Sequence, residues 1–317
     1  MAPSEELGRY STAIEALRGT QLVGRDVVLT GGAGGIGVET ARALTHAGAH
    51  VIICARNVEA GEKVAEELRK CGLKGSLEVK RLDLADLQSI KQFADEVNGE
   101  LGKLDLLILN AGVMALPSRL ETSDGFEMQL GTNHIGHAYL TQLLLPKLKQ
   151  APAARVVAVS SMGHRVGGLD LEDLNWEKRR YNTWLAYGAS KLANILFAKE
   201  LASRMQEEGS PVRCYSLHPG MINTGLSRHM WGGFAWRALA GWMTWIPGFK
   251  TVEQGAATTV YAATAPELET QSGAYLSDCR VVAPSKAAQD ADLAKRLWAK
   301  TEELIQAALK RREAAAS

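Results

Sequence analysis

The sequence predicts a doubly wound α/β fold, one domain with a parallel sheet of about seven strands flanked by helices. Three observations predict it. Short apolar runs alternate with longer runs whose apolar residues recur at helical spacing. A glycine-rich loop joins the first apolar run to the first helical one. Polar side chains follow the ends of several apolar runs, where an open parallel sheet places its ligand crevice. The chain has 317 residues, 46% of them apolar, enough for a sizeable core. The division read from it is an N-terminal helical extension over 1–20 and one domain over 21–317.

Ser4 to Arg18 reads as a short helix before the domain proper. Asp26 to Thr30 is an apolar run bounded by glycines, a buried strand. Gly31-Gly32-Ala33-Gly34-Gly35-Ile36-Gly37 follows, and then the helical run Val38 to Ala47. Glycines let a backbone turn tightly and approach a pyrophosphate, and a helix N-terminus offers free N–H groups. Two templates fit the loop. Gly32, Gly34 and Gly37 match G-x-G-x-x-G, while Thr30, Gly31, Gly35 and Gly37 match T-G-x-x-x-G-x-G. A tight turn also uses glycine, so the strand and helix around the loop carry the nucleotide-binding reading.

The second strand, His50 to Cys54, ends at Ala55-Arg56-Asn57. An NAD-preferring chain usually has an acid here to accept from the ribose 2′-hydroxyl. Arg56 stands nineteen residues after Gly37 instead. A guanidinium pairs with a 2′-phosphate, so the expected cofactor is NADP(H). A surface arginine is the plain alternative. Leu77 to Arg81 is a third strand, ending at Leu82-Asp83-Leu84, and Asp86 to Leu101 is helical. Leu104 to Leu109 is a fourth strand, ending at Asn110-Ala111-Gly112. Asp83 suits an adenine edge and Asn110 the strand end beside the cofactor. Either also serves as an ordinary turn residue.

Asp124 to Leu145 reads as one long helix with Pro146 near its end. Inside it lies Thr132-Asn133-His134-Ile135-Gly136-His137. Two histidines three apart with no acid at matching spacing do not make a metal site, and no metal is expected. Asn133 is a poor helix former in mid-helix. Val156 to Ser160 is the next strand, followed by Ser161. A polar, irregular stretch, His164 to Tyr181, precedes the helical run Asn182 to Gln206. That run holds Tyr187 and Lys191, four apart and so on one helix face. An ammonium beside a phenol lowers its pKa and fits it for acid/base work. Taken alone, such a pair is a surface tyrosine and a solvated lysine. A strand at Val212 to Leu217 leads to His218-Pro219-Gly220, with Thr224 beyond.

These residues together resemble the short-chain dehydrogenase/reductase family. The matching features are Thr30-Gly31-x-x-x-Gly35-x-Gly37, Asp83, Asn110-Ala111-Gly112, Asn133, Ser161, Tyr187-x-x-x-Lys191 and Pro219-Gly220 with Thr224. Cys54-Ala55-Arg56-Asn57, Asn133-His134-Ile135-Gly136-His137 and Leu217-His218-Pro219-Gly220 resemble its retinol-dehydrogenase-like branch. The run Gln254 to Tyr261 is similar to the oxidoreductase domain of WW-domain-containing oxidoreductases. The resemblance implies a Rossmann-type fold and a catalytic set of Asn133, Ser161, Tyr187 and Lys191. In that set Tyr187 gives a proton to a carbonyl oxygen and Ser161 donates to the same oxygen. Lys191 lowers the phenol's pKa and holds the nicotinamide ribose, and Asn133 anchors a relaying water. The implied cofactor contacts are Gly31, Gly35, Ile36, Gly37, Arg56, Asn57, Asp83, Leu84, Asn110, Ala111, Gly112, Tyr187, Lys191, Pro219, Gly220 and Thr224. Ser161 lies 26 residues before Tyr187, about twice the family's common spacing, so a segment is inserted near the site and Ser160 is the runner-up.

Four of the seven tryptophans, Trp231, Trp236, Trp242 and Trp245, fall between Met221 and Phe249. The resemblance places that stretch, about 221–250, over the substrate crevice as a lid. Such side chains suit a bulky apolar carbonyl or alcohol. They equally suit packing in the domain, a homo-oligomer contact or a peripheral membrane contact. Thr251-x-x-Gln254 has capping-box form, Gly273 to Leu276 is a last strand, and Ala287 to Arg312 is a helix with a solvated basic end.

A net charge of +1 gives no electrostatic pull towards nucleic acid. Four cysteines without Cys-x-x-Cys spacing fit reduced thiols. No window of about 18 apolar residues reads as a transmembrane span. Met1 to Thr20 lacks the apolar core of a secretory signal, so a cytoplasmic location is expected. The expected activity is NADP(H)-dependent reduction of an apolar carbonyl, reversible as an alcohol dehydrogenase. A scaffold or sensor that binds NADP(H) without turnover is the alternative.

Overall fold

The computed structural model describes residues 6–222 and 249–316. The first half alternates strand and helix: β1 (Asp26–Thr30), α2 (Ile36–His46), β2 (His50–Ala55), α3 (Val58–Arg69), β3 (Ser76–Arg81), α4 (Leu87–Glu100) and β4 (Leu106–Leu109). A short α1 (Ala13–Ala16) precedes them. The second half holds α5 (Met128–Leu130), α6 (Gly136–Gln150), β5 (Arg155–Val159), α7 (Thr183–Glu207) and β6 (Arg213–Leu217). β7 (Met221–Ile222), β8 (Phe249–Lys250), α8 (Val252–Thr264), β9 (Tyr275–Ser277), β10 (Arg280–Val281), α9 (Lys286–Gln289) and α10 (Ala291–Ala316) complete it.

The main sheet has eight strands in the order β10-β9-β6-β5-β4-β1-β2-β3. Seven run parallel, as the apolar runs predict, and β10 adds an antiparallel edge. Asp278 and Cys279 connect β9 to β10 at φ of 53° and 58°. Two left-handed residues make the tight turn of a hairpin. Asp-Cys lacks the Asn-Gly or Asp-Gly signature of that turn, which hides this strand in the sequence.

Strand residues alternate between two cores, because side chains in a strand point to opposite faces. Val28, Ile52, Leu107 and Val156 pack with α4, α6, α7 and α10 on one face. Val27, Leu29, Val51, Ile53, Ile108 and Val157 pack with α1, α2 and α8 on the other. Burial on both faces explains the unbroken apolar runs. The strand order reverses between β1 and β4. A ligand crevice opens at such a switch point, outside the strands' carboxyl ends. The glycine loop follows β1 there, and Asn110-Ala111-Gly112 follows β4.

Four helix boundaries differ from the sequence reading. Among described residues, the N-terminal helix covers only Ala13–Ala16, opened by a Thr12–Glu15 capping box, and Arg18 and Gly19 at positive φ end its segment. Leu7, Ala13, Ala16 and Leu17 are buried in the α2/α8 core. The long helix starts later than Asp124, because Gly125 at φ 82° turns the chain and Glu121 bridges to Glu127. A π-helical turn, Gly131–Ile135, then separates α5 from α6. The C-terminal helix breaks at Asp290, whose carboxylate accepts from the Leu293 amide at 2.9 Å.

The basic end of α10 is not simply solvated, as the sequence reading had it. Arg312 pairs with Asp86 at 2.6 Å and with Asp124, and Arg311 donates to the Asp124 carbonyl at 3.1 Å. Asp124 also accepts from the Leu87 amide, at 2.9 Å, and so joins the C-terminus to the start of α4. Its side chain is 1% exposed, so removing its cation leaves a buried charge unpaired. Arg312→Ala should therefore lower stability by about 2 kcal/mol, discounted for the arginine's partial exposure. A lower urea midpoint with an unchanged slope checks it; an unchanged midpoint refutes it.

Candidate active site

The glycine loop distinguishes between its two templates. Gly31 and Gly35 sit at φ of 67° and 53°. A Cβ on Gly31 would lie 2.9 Å from Ala111 Cα, and one on Gly37 would lie 2.1 Å from the Gly31 carbonyl oxygen. Gly34 has open space around it. The T-G-x-x-x-G-x-G reading thus holds the glycines that the backbone requires. Gly35 opens α2, and no side chain caps that end. The amides of Gly37 and Val38 donate to the Gly34 and Gly35 carbonyls at 3.1 and 3.3 Å, so this end offers a ligand the positive end of the helix dipole with no competing side chain.

Thr30 ties this loop to the next strand. Its hydroxyl accepts from the amides of Asn110 and Ala111 at 2.9 and 3.0 Å. Asn110 Nδ2 donates back to the Thr30 carbonyl at 2.9 Å, and its Oδ1 is buried without a partner. His137 lies 2.9 Å from the same hydroxyl through Nε2 and 3.0 Å from the Asn133 carbonyl through Nδ1. A carbonyl only accepts, so Nδ1 carries the proton and Thr30 donates to Nε2. Burial holds the His137 pKa down at about 3, so the ring is neutral. His134 turns elsewhere, to Thr301 at 2.8 Å. The two histidines have separate partners, and His137 is a structural link that spacing alone did not reveal.

Asn133 sits in the π-helical turn, fully buried. Its Oδ1 accepts from the Val113 amide at 2.8 Å, and its Nδ2 donates to the Val113 carbonyl and to Ser190 Oγ. Both N–H groups are engaged, and Oδ1 keeps one lone pair. A Cβ placed on Gly112 would meet Asn133 Oδ1 at 3.2 Å and Lys191 Nζ at 3.4 Å. Gly112 is therefore the point where the β4 end, the π-helical turn and α7 converge.

Asn182 caps α7 by accepting from the amides of Trp184 and Leu185. Tyr187 and Lys191 are 6% and 3% exposed, which removes the reading as a surface pair. Lys191 Nζ donates to the Val159 carbonyl at 3.0 Å and lies 5.9 Å from the Tyr187 ring centroid. Burial pulls the Lys191 pKa down to about 8. Burial also raises Tyr187 above the ordinary phenol value, and the Ser161 hydroxyl opposes that rise. The phenol thus sits above its ordinary value, because burial is the largest influence on it.

Ser161 is half-buried, and its Oγ accepts from the Gly163 amide at 3.1 Å. A Cβ on Gly163 would lie 3.1 Å from Tyr187 Cε1 and 3.5 Å from Ser161 Oγ. Ser160 is the weaker alternative, since its hydroxyl donates to the Lys191 carbonyl at 2.6 Å. His164 donates from Nδ1 to the Ser161 carbonyl at 2.7 Å and accepts the Ser285 amide at 3.1 Å, fixing the serine turn from behind. The inserted segment is anchored by the buried Glu127, which accepts from the Tyr181 hydroxyl at 2.9 Å and from the Leu130 amide at 2.7 Å. Gln129 donates to the same tyrosine at 3.0 Å. These links were not legible in the sequence, since their partners lie some fifty residues apart.

The remaining expected residues are spread along the crevice. Arg56 is exposed just past β2 and forms no ion pair among the described residues. Asn57 caps α3 by accepting from Ala60, so its side chain is engaged there. Asp83 accepts from the Ala85 amide, and Leu84 is buried with its carbonyl against Gly136. Pro219 is half-buried, and Gly220 turns at φ 95° against the Lys250 side chain. Thr224 and the four tryptophans of the expected lid lie outside the described residues. Gly31, Gly35, the uncapped start of α2 and the unpartnered Asn110 Oδ1 fit a dinucleotide. Exposed Met162, Val166, Trp184 and Leu185 are near neighbours in sequence of Ser161 and Tyr187.

Known proteins are similar to this chain in sequence and fold. The family model described as short chain dehydrogenase matches residues 25–232. Retinol dehydrogenase 11 of Homo sapiens is 45% identical over 280 residues, which cover 88% of this chain and 85% of that protein. Retinol dehydrogenase 13 of Mus musculus is 43% identical over 286 residues, covering 89% and 84%. A crystal structure of an uncharacterised protein from Mycobacterium paratuberculosis matches with a TM-score of 0.72 at 40% identity, covering 90% of this chain and 95% of that one. A second, an NAD(P)-dependent gluconate 5-dehydrogenase by its description, from Beutenbergia cavernae with NADP bound, matches at 0.64 and 25% identity, covering 81% and 96%.

The buried lysine sets a pH dependence of stability. Its pKa falls from 10.5 unfolded to about 8 folded, so the unfolded chain holds the proton more tightly. Stability of the cofactor-free protein should then rise with pH between about 8 and 10, before Tyr187 titrates. The full penalty stands below pH 8 and is about 3 kcal/mol at roughly 1.4 kcal/mol per unit. Lys191→Met should raise the neutral-pH melting temperature and flatten that slope relative to wild type. Parallel pH profiles for the two proteins would contradict it.

Proposed function

The chain belongs to the short-chain dehydrogenase/reductase family, in its retinol-dehydrogenase-like branch, and from that membership we propose that this oxidoreductase uses NADPH to reduce an apolar retinoid-, steroid- or lipid-like aldehyde or ketone, reversibly. One observation carries the reading: Tyr187, Lys191 and Asn133 are buried together around Gly112 and Gly163, with Ser161 at the same place. Nothing in packing alone calls for a lysine ammonium there.

Tyr187 gives its proton to the carbonyl oxygen as that oxygen gains negative charge. Its raised pKa keeps it in the protonated form that a donor needs. Ser161 donates a hydrogen bond to the same oxygen and stabilises the developing charge. The Lys191 ammonium adds positive potential beside the phenol and would hold the nicotinamide ribose. Asn133 fixes the Val113 backbone and offers its remaining lone pair to a relaying water. When bound, the cofactor supplies the hydride. The glycine loop and the start of α2 would hold its pyrophosphate, and Arg56 its 2′-phosphate.

Apolar substrates are supported by exposed apolar side chains close in sequence to Ser161 and Tyr187, with Val166 65% and Trp184 47% exposed, and by the names of similar relatives. NADPH is supported by Arg56, which forms no ion pair among the described residues, and by the bound NADP of one structural neighbour. No described helix is long and apolar enough to cross a membrane.

Tyr187→Phe should lower kcat by about a thousandfold with NADPH affinity nearly unchanged, since the lost group acts on the proton alone. Turnover within about threefold of wild type would remove Tyr187 from the mechanism. Arg56→Asp should weaken NADPH by ten- to a hundredfold and favour NADH, because charge-assisted pairing is worth roughly 1.5–3 kcal/mol. Titrations of both cofactors decide it; equal wild-type affinity for NADH and NADPH would refute this role for Arg56.

A further inference from the structure

A second charged site lies at the amino ends of the central parallel strands, away from the ligand crevice at their carboxyl ends. Arg25 precedes β1, Asp105 precedes β4, Arg155 opens β5 and Arg213 opens β6. Together they line a cleft of about 250 Å³, with the end of α8 and Glu269 beside them.

Arg155 and Arg213 are register partners on adjacent strands. Such partners share a sheet face at about 4.8 Å, and like charges so placed repel. Arg155 is also only 7% exposed. It donates to the Ala262 carbonyl in the last turn of α8 at 3.1 Å, and its guanidinium carbon lies 5.6 Å from the Tyr215 ring centroid. A helix C-terminus and an aromatic face both favour a cation. They engage one of five N–H donors and supply no counter-charge. Among the described residues no carboxylate lies within ion-pair distance of Arg155.

The nearby acids are committed or exposed. Asp105 pairs with Arg25 at 2.6 Å and also with Lys103. Glu267 pairs with Arg18 at 2.8 Å. Glu269 is exposed, and its carbonyl accepts from Arg213 Nε at 3.0 Å. Arg213 gives a second N–H to the Ser210 carbonyl at 3.1 Å. Three guanidiniums therefore line the cleft against two carboxylates, and one of those is shared with a lysine. None of these residues belongs to the site of Tyr187.

We propose that this cleft binds a small oxyanion, a phosphate or carboxylate group carried by a small molecule, between the Arg155 and Arg213 guanidiniums. The planar fork of arginine matches both groups in bidentate fashion. An oxyanion there supplies the counter-charge that the buried Arg155 lacks and removes its repulsion with Arg213.

Calorimetric titration of the full chain with inorganic phosphate, and separately with succinate, tests this at ionic strength held constant with sodium chloride. The expected result is saturable binding of one anion per chain, with a rise in melting temperature beyond that in chloride alone. The stronger of the two anions identifies the group. Arg155→Met and Arg213→Met should each weaken that binding ten- to a hundredfold and leave NADPH affinity unchanged. If Arg155→Met does not fold, Arg213→Met decides the matter by the same criterion. Absence of saturable binding by either anion, or affinity equal to wild type in the folded variants, overturns the proposal.

Discussion

The hydroxyl of Thr30 is the joint on which the site depends. It accepts from two amides past the end of β4 and donates to a neutral histidine on α6. Through His137 it reaches the carbonyl of Asn133. One buried oxygen thus fixes the start of the glycine loop, the turn Asn110-Ala111-Gly112 and the π-helical turn relative to one another. A buried hydroxyl with every partner satisfied is rigid, because each alternative geometry leaves a polar group unpaired. A loose version of this joint would blur the distances around Gly112. Catalytic constellations are sensitive to displacements of that size.

Lys191 is where stability and function pull against each other. An ammonium at 3% exposure with a neutral carbonyl as its close partner is costly, and its lowered pKa expresses that cost. The surrounding helix gives no reason for it, since Ile195, Leu196 and Leu192 beside it are ordinary core residues. Local features that break the rules of a core mark functional positions. The buried Arg155 at the amino end of β5 is a second break of the same kind.

Much of this was legible in the sequence because local signals agreed with the global fold. The central parallel strands announced themselves as apolar runs, because both faces of the sheet are buried there, while the edge strand β3, Ser76–Arg81, alternates apolar and charged residues. The loop Gly31 to Gly37 and the pair Tyr187 and Lys191 stand at spacings that their chemistry requires. What was hidden depends on contacts between distant residues. The neutral link through His137, the anchoring of the inserted segment by Glu127 and Tyr181, and the pairing of Arg312 with Asp86 and Asp124 all join residues whose neighbours in sequence say nothing of each other. The β9–β10 turn was hidden for a different reason, since Asp278 and Cys279 adopt left-handed backbone without the glycine that signals it. The direction of the Tyr187 shift was also out of reach, because it turns on how deeply the phenol is buried.

The central claim is that the buried Tyr187 site turns over a carbonyl, rather than only binding a dinucleotide. The most direct test is a panel of apolar aldehydes and ketones, including a retinoid aldehyde, incubated with wild-type protein and NADPH. NADPH absorbance and alcohol product are followed together. The account predicts that at least one apolar carbonyl is reduced, with alcohol formed in step with NADPH lost. Protein that binds NADPH but oxidises it with no member of the panel would contradict the account and favour a dinucleotide-binding scaffold.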